Sequence, residues 1–222
     1  MPIYGRPSEA RGRKEAGIIP EEKSIFQEEG KRGLTEPRQW KDKESSLQWI
    51  EWSGIPISRL ITERRDSGIA RPVVVDWGCG KGPAIVSVAE RFPDADCIGY
   101  SRESYPEWGV RTNARFVQAP TGSLHRYLKD GSVDIIYSYE GIMHMQMGEF
   151  PGGGKPERLK EVESLIWKLK HGGEMWIHNI GAVDRDWGSS RLLDELKKRK
   201  DIEVHTYHVE NMFSGITRII RI

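Results

Sequence analysis

The chain has 222 residues, with Lys+Arg 34 set against Asp+Glu 33 for a formal charge of +1. That length suits one well-buried α/β domain with a modest extension, and the balanced charge gives no global pull toward nucleic acid or acidic membranes. No apolar run approaches the roughly 18–20 residues of a membrane helix, and the N-terminus alternates charges where a leader needs an apolar stretch.

Residues 1–44 are poor in apolar side chains and carry Gly, Pro, Lys, Arg and Glu without helical or strand periodicity. Such a segment buries too little to offset its ordering entropy and reads as a flexible charged arm, a solubilising tail or a substrate lid. The domain proper is expected over 45–222. It opens with helical sequence at 45–67, split by Gly54 and Pro56, with Leu47, Ile50, Leu60 and Ile61 facing a core.

From Arg71 short β-branched runs alternate with amphipathic stretches, the pattern of a parallel sheet covered by helices. Val73 to Val75 read as a strand buried on both faces, and Pro83 to Arg91 as a helix with proline in its first turn. Further strands are expected at Asp96 to Tyr100, Arg115 to Gln118, Val133 to Ser138 and Glu174 to Asn179. Pro156 to Lys170 reads as a helix, with Leu159, Val162, Leu165, Ile166 and Leu169 at spacings of three and four, stopped by His171-Gly172-Gly173. Arg191 to Lys200 is a last helix, and its basic Lys197 to Lys200 run complements the helix dipole. Ile202 to His208 and Gly215 to Ile222 follow with no helix between them, so they must pair antiparallel. Cys79 and Cys97 have no second cysteine or histidine at metal-ligand spacing. They read as reduced thiols of a cytoplasmic protein without a metal site.

The segment richest in chemistry is Asp76-Trp77-Gly78-Cys79-Gly80-Lys81-Gly82, between a strand and a helix. Alternating glycines let backbone lie directly against a ligand, and Asp76 can accept from a cationic or N–H-bearing group at the strand's carboxyl end, where such sheets collect ligands. A phosphate-binding P-loop needs Ser or Thr after its lysine, and Lys81 is followed by Gly82 and Pro83. The dinucleotide fingerprint fails too, because its last glycine, counted from Gly78, falls on Pro83.

What remains resembles motif I of the class I, Rossmann-like, S-adenosylmethionine-dependent methyltransferase superfamily. Three further stretches extend the resemblance over about Arg71 to Ile222. Cys97 to Glu103 is similar to that family's second strand and ribose-binding turn, Val133 to Ser138 after Asp130-Gly131 to its fourth strand, and Leu169 to Glu174 to the lead into its fifth. The resemblance implies a mostly parallel seven-stranded sheet with helices on both faces and a C-terminal antiparallel β-hairpin. It also implies S-adenosylmethionine as cofactor, held by Asp76, Gly78, Cys79, Gly80, Gly82, Ser101, Glu103, Pro120, Thr121 and Tyr139. Two departures stand out: Ser101 occupies the place of the ribose-binding acid, with Glu103 two residues later, and Gln118-Ala119-Pro120-Thr121 lacks the acid that often meets adenine.

Methyl transfer from a sulfonium needs alignment more than acid–base help. A base for the acceptor's proton would come from Tyr139, Glu140 or His144, after the fourth strand. The Asn/Asp-Pro-Pro-Tyr/Phe signature of amino-methylating nucleic-acid enzymes is absent, as is the Lys-Asp-Lys-Glu set of ribose methyltransferases. A small-molecule acceptor is therefore expected, with RNA or protein acceptors, or a non-catalytic cofactor-binding module acting through a partner, as the alternatives. The Met143 to Met147 stretch, Phe150 to Gly154 and Trp187 are candidate pocket walls.

Overall fold

A computed structural model of the chain describes residues 43–109, 113–120, 123–139, 141–144, 155–178, 189–208 and 215–222. The expected arm at 1–44 lies almost entirely outside the described residues. So do Thr121, Glu140, the 145–154 part of the methionine- and glycine-rich stretch, and Trp187.

Seven strands form one sheet in the order β3-β2-β1-β4-β5-β7-β6. They are β1 (Val73–Trp77), β2 (Asp96–Ser101), β3 (Ala114–Gln118), β4 (Val133–Ser138), β5 (Leu169–His178), β6 (Ile202–His208) and β7 (Gly215–Arg221). β1 to β5 run parallel, while β7 inserts antiparallel between β5 and β6. The short 208–215 connection leaves the hairpin no other direction. Chain order runs outward from β1 to β3, then returns to β4 on the other side of β1. The switch point therefore falls between β1 and β4, where Asp76 sits level with Tyr137.

Alternation along the strands builds two cores. On one face Val74, Cys97, Ile135, Tyr137 and Trp176 pack against Leu47 and Ile50 of α1 (Lys43–Trp52), Leu60 and Ile61 of α2 (Ile57–Asp66), and Ile85 and Val88 of α3 (Pro83–Arg91). On the other, Val75, Ile98, Ile136 and Ile177 meet Val162, Leu165 and Ile166 of α5 (Lys155–Lys168) and Leu192 and Leu196 of α6 (Ser189–Lys197). The short α4 (Gly141–His144) follows β4. The four apolar positions expected to face a core from 45–67 all do so, and Gly54, at φ 101°, divides the helices.

Two boundaries differ from expectation. α5 stops at Lys168 and β5 begins at Leu169, five residues before Glu174. Leu169 already pairs with Val133, and the next level pairs are Ile135 with Glu174 onward, so Lys170 to Gly173 form a bulge. α6 ends at Lys197, leaving Lys198 to Lys200 beyond it. There the Arg199 guanidinium pairs with Asp201 and lies over Trp167, 5.7 Å from the ring centroid. In the β2–β3 crossover the described regular element is a single 3-10 turn, Pro106–Gly109. There Trp108 stacks on Phe116 of β3 with centroids 4.8 Å apart and planes 11° apart.

The β5–β7 seam is tied to α2 by Glu174, which is 5% exposed. Its carboxylate accepts from Arg64 at 2.9 Å, Trp176 Nε1 at 3.0 Å and Arg218 Nε at 2.7 Å. Removing one partner of such a pair strands the others' charge. Glu174→Ala is expected to lower unfolding free energy by about 3 kcal/mol in urea titrations, as both guanidiniums lose their buried acceptor.

Candidate functional site

At the carboxyl end of β1 the chain must leave the sheet between two neighbours, and glycine permits it. Gly78 and Gly80 have φ of 89° and 52°, in the left-handed region that penalises a Cβ. Tyr100 O, at the end of β2, accepts from both Gly78 N and Cys79 N at 2.9 Å, and Gly82 N bonds to Cys79 O at 2.8 Å. The turn is thus pinned to β2 and feeds α3 through Pro83 at its first position.

The two glycines face different surroundings. A Cβ on Gly78 would lie 2.8 Å from the Cα of Gly141, whereas one on Gly80 would meet nothing within 4 Å. Position 78 is therefore closed by the chain leaving β4, and position 80 opens to space. Ser138 Oγ accepts from Ile142 N at 2.9 Å, which satisfies a first-turn N–H of α4 and fixes the backbone that presses on Gly78.

Asp76 is 5% exposed and lies beside Tyr137, and among the described residues no cation pairs with it. Burial raises its pKa from 3.8 to about 7, against a smaller lowering by the Tyr137 hydroxyl. The carboxylate in turn raises Tyr137, whose own burial is the larger cause. The Cys79 thiol is likewise pushed well up by burial and by Asp76, so it is no nucleophile near neutral pH. Cys97 is pushed up to about 12 by burial. A buried carboxyl with no cationic partner, next to an open backbone turn, is a place to receive a positively charged ligand group.

The sequence-predicted residues fall into three groups. Asp76, Gly78, Cys79, Gly80 and Gly82 form the turn itself. Ser101 and Pro120 lie at the adjacent ends of β2 and β3, joined there because Tyr100 Oη donates to Pro120 O at 2.8 Å. Glu103 sits on the surface, its carboxylate engaged by Arg102 at 3.0 Å and by the Tyr105 hydroxyl at 3.3 Å. Ser101 Oγ accepts from Glu103 N at 3.4 Å.

Tyr139, just past β4, is held from two sides: Trp49 Nε1 of α1 donates to its oxygen at 2.7 Å, and its ring stacks on His178 with centroids 4.5 Å apart. His144 is the last residue of α4. Sequence reasoning missed Trp49, Trp108, Phe116, Gly141 and His178 as neighbours of this end of the sheet. Only one readable signal pointed to them. Gly99 lies inside a strand, where glycine marks close approach, and a Cβ there would meet Phe116 at 2.7 Å and Cys79 Sγ at 2.9 Å. Among the described residues no group of three or more His, Cys, Asp or Glu side chains could hold a metal, and no helix is long and apolar enough to cross a membrane.

Two outcomes follow from this geometry. Gly78→Ala is expected to cost about 2–4 kcal/mol, since both its φ and its backbone neighbour oppose a methyl group, and Gly80→Ala only about 1 kcal/mol. Urea titrations of the two variants measure the difference. For Asp76 the folded state keeps a proton that the unfolded chain loses between about pH 4 and 7. Its contribution is therefore full below pH 4, falls as pH rises through about 7, and is flat above. Between pH 4 and 8, stability is expected to shift toward Asp76→Asn relative to the wild type by a few kcal/mol, at about 1.4 kcal/mol per pH unit. Urea midpoints across that range give the slope.

No protein-family model matches the sequence, and no curated protein matches it. Solved structures of similar fold exist at low identity. The plantazolicin methyltransferase BpumL, in complex with a triazolic desmethylPZN analog and SAH, has 11% identity and TM-score 0.51, over 81% of this chain and 89% of its own. A TehB-like SAM-dependent methyltransferase from Corynebacterium glutamicum has 16% identity and TM-score 0.48, over 81% and 98%. An rRNA methylase from Streptococcus thermophilus has 13% identity and TM-score 0.48, over 69% and 88%. With its 3-2-1-4-5-7-6 sheet and reversed β7, the chain has the Rossmann-like fold of class I S-adenosylmethionine-dependent methyltransferases.

Proposed function

We propose that this chain is an S-adenosylmethionine-dependent methyltransferase acting on a small-molecule acceptor. The observation that carries the reading is the paired character of the β1 exit: a turn open at Gly80 beside a buried Asp76 that meets no cation among the described residues, at the switch point of the sheet. The cofactor's α-ammonium and hydroxyls match that donor and acceptor set. Asp76 would take the ammonium, the bare Gly78 to Gly82 backbone would lie along the amino-acid and sugar portion, and Ser101, Glu103 and Pro120 would border the ribose and adenine. When bound, S-adenosylmethionine supplies a methyl group on a sulfonium, a leaving group that needs no protonation.

What this chain must then supply is alignment and exclusion of water. Tyr139 stands at the exit of β4 with its ring fixed between Trp49 and His178. Of the three candidate proton acceptors it is the one whose side-chain surroundings are described. The partly exposed Trp49 and Tyr139 rings, backed by the buried His178, favour a flat or apolar acceptor of modest size. The BpumL structure, in complex with a triazolic desmethylPZN analog and SAH, is in keeping with that reading.

Titration calorimetry with S-adenosylmethionine and S-adenosylhomocysteine is expected to show both binding, and Gly80→Val is expected to lose that binding while keeping its far-ultraviolet circular dichroism. Transfer of labelled methyl is expected into small-molecule pools. Incorporation into RNA instead, with affinity falling steeply as salt rises, would move the acceptor to nucleic acid. Binding without transfer to any pool would leave a cofactor-binding module. Absence of binding by either nucleotide would remove the proposal.

A further inference from the structure

The β2–β3 crossover touches the glycine turn at two points that the cofactor reading does not use. Trp108 Nε1 donates to Gly80 O at 3.0 Å. One residue away on each side, Lys81 Nζ and Glu107 Oε1 are 2.9 Å apart. The indole is not free to drift, because it stacks on Phe116. Phe116 in turn occupies the space that a Cβ on Gly82 would enter at 2.4 Å. The ion pair is largely solvent-exposed and contributes little alone. The indole bond is part-buried and is the stronger of the two.

The bond has a directional consequence. In a planar trans peptide the carbonyl and the N–H point opposite ways. Fixing Gly80 O on Trp108 therefore turns Lys81 N–H away from the crossover. The N–H groups of Gly78, Cys79 and Gly82 are already spent on Tyr100 O and Cys79 O. Those of Gly80 and Lys81 make no hydrogen bond to a described residue. They are the donors left for a ligand, and the Gly80–Lys81 peptide is the unit that Trp108 orients.

We propose that Trp108 is a positioning residue for the cofactor, latching the Gly80–Lys81 peptide so that the turn is ordered before the ligand arrives. The 3-10 turn Pro106–Gly109 brings this indole N–H within reach of the glycine turn. The consequence for binding rests on the proposed function, whereas the latch itself is a property of the ligand-free protein, and the two are tested separately.

Trp108→Phe keeps a ring over Phe116 and deletes only the donor. Hydrogen–deuterium exchange by mass spectrometry on the ligand-free protein is expected to show several-fold faster exchange across residues 78–83 in this variant. Its thermal midpoint is expected to stay within a few degrees of the wild type. Calorimetry with S-adenosylhomocysteine is expected to show Kd raised about fivefold to tenfold, the equivalent of one neutral hydrogen bond. With S-adenosylmethionine as substrate, KM for the cofactor rises by the same factor while kcat at saturation stays within about twofold; a merely structural role would lower the folded fraction and kcat instead. Unchanged exchange at the turn would overturn the latch. Faster exchange with an unchanged Kd would overturn the cofactor-positioning role. If the wild type binds neither nucleotide, the proposed function fails, the cofactor role of Trp108 fails with it, and the exchange measurement alone decides the latch.

Discussion

A Cβ on Gly141 would lie 2.6 Å from Trp77 O and 3.0 Å from Gly78 Cα, so the exits of β1 and β4 touch backbone to backbone with no room for a side chain. The rest of the site depends on that contact. It seats the segment after β4 against the glycine turn and sets where Ser138 can accept from the first turn of α4. It also leaves Tyr139 on the face where Trp49 and His178 hold it. On the far side of the turn, Tyr100 O and the Trp108 indole complete the restraint. A flexible glycine sequence is thereby held from three directions while its position 80 stays open.

The buried acids divide by their company. Glu174 has three donors and ties β5 and β7 to α2, while Asp134 takes Val73 N at 2.8 Å and Lys170 Nζ at 2.7 Å and ties β4 to β1 and β5. Asp76 and Glu161 lack cations among the described residues. Burial raises the pKa of each, with Tyr137 the smaller, opposing influence on the first and Trp77 on the second. They flank one strand end from opposite faces, because Asp76 and Trp77 alternate across the sheet and the Trp77 indole donates to Glu161 at 2.7 Å. Glu161 is a brace beneath the turn. Asp76 is the acid on the opposite face, beside the turn.

Ser101 and Glu103, at the ribose end of the proposed cofactor site, are both engaged within the protein. Glu103 is occupied by Arg102 and Tyr105 at the surface, and Ser101 Oγ is turned to the Glu103 backbone. The β2–β3 region instead invests in aromatic surface, with Tyr105, Trp108 and Phe116 in a row at centroid separations of 5.7 and 4.8 Å. Order on this side of the site therefore comes from stacking and one indole bond rather than from a charged side chain.

Local chemistry made much of this legible in the sequence. β-branched runs, a proline at a helix start, apolar spacings of three and four, and consecutive strands without a crossover each have one cheap solution, so the seven strands, five of the six described α-helices and the closing hairpin could be read directly. The Asp76 to Gly82 turn was legible for the same reason, since alternating glycines between strand and helix answer a need for bare backbone. Only tertiary structure decided that β5 begins at Leu169, because its bulge exists to match Val133 on another strand. It alone decided that β7 rather than β6 meets β5, and that Trp49, Trp108, Gly141 and His178 converge on the end of the sheet. The contacts Trp108–Gly80, Tyr139–His178, Gly78–Gly141 and Trp49–Tyr139 span 28 to 90 positions, and nothing local in the chain sets a contact between two segments that only the sheet brings together.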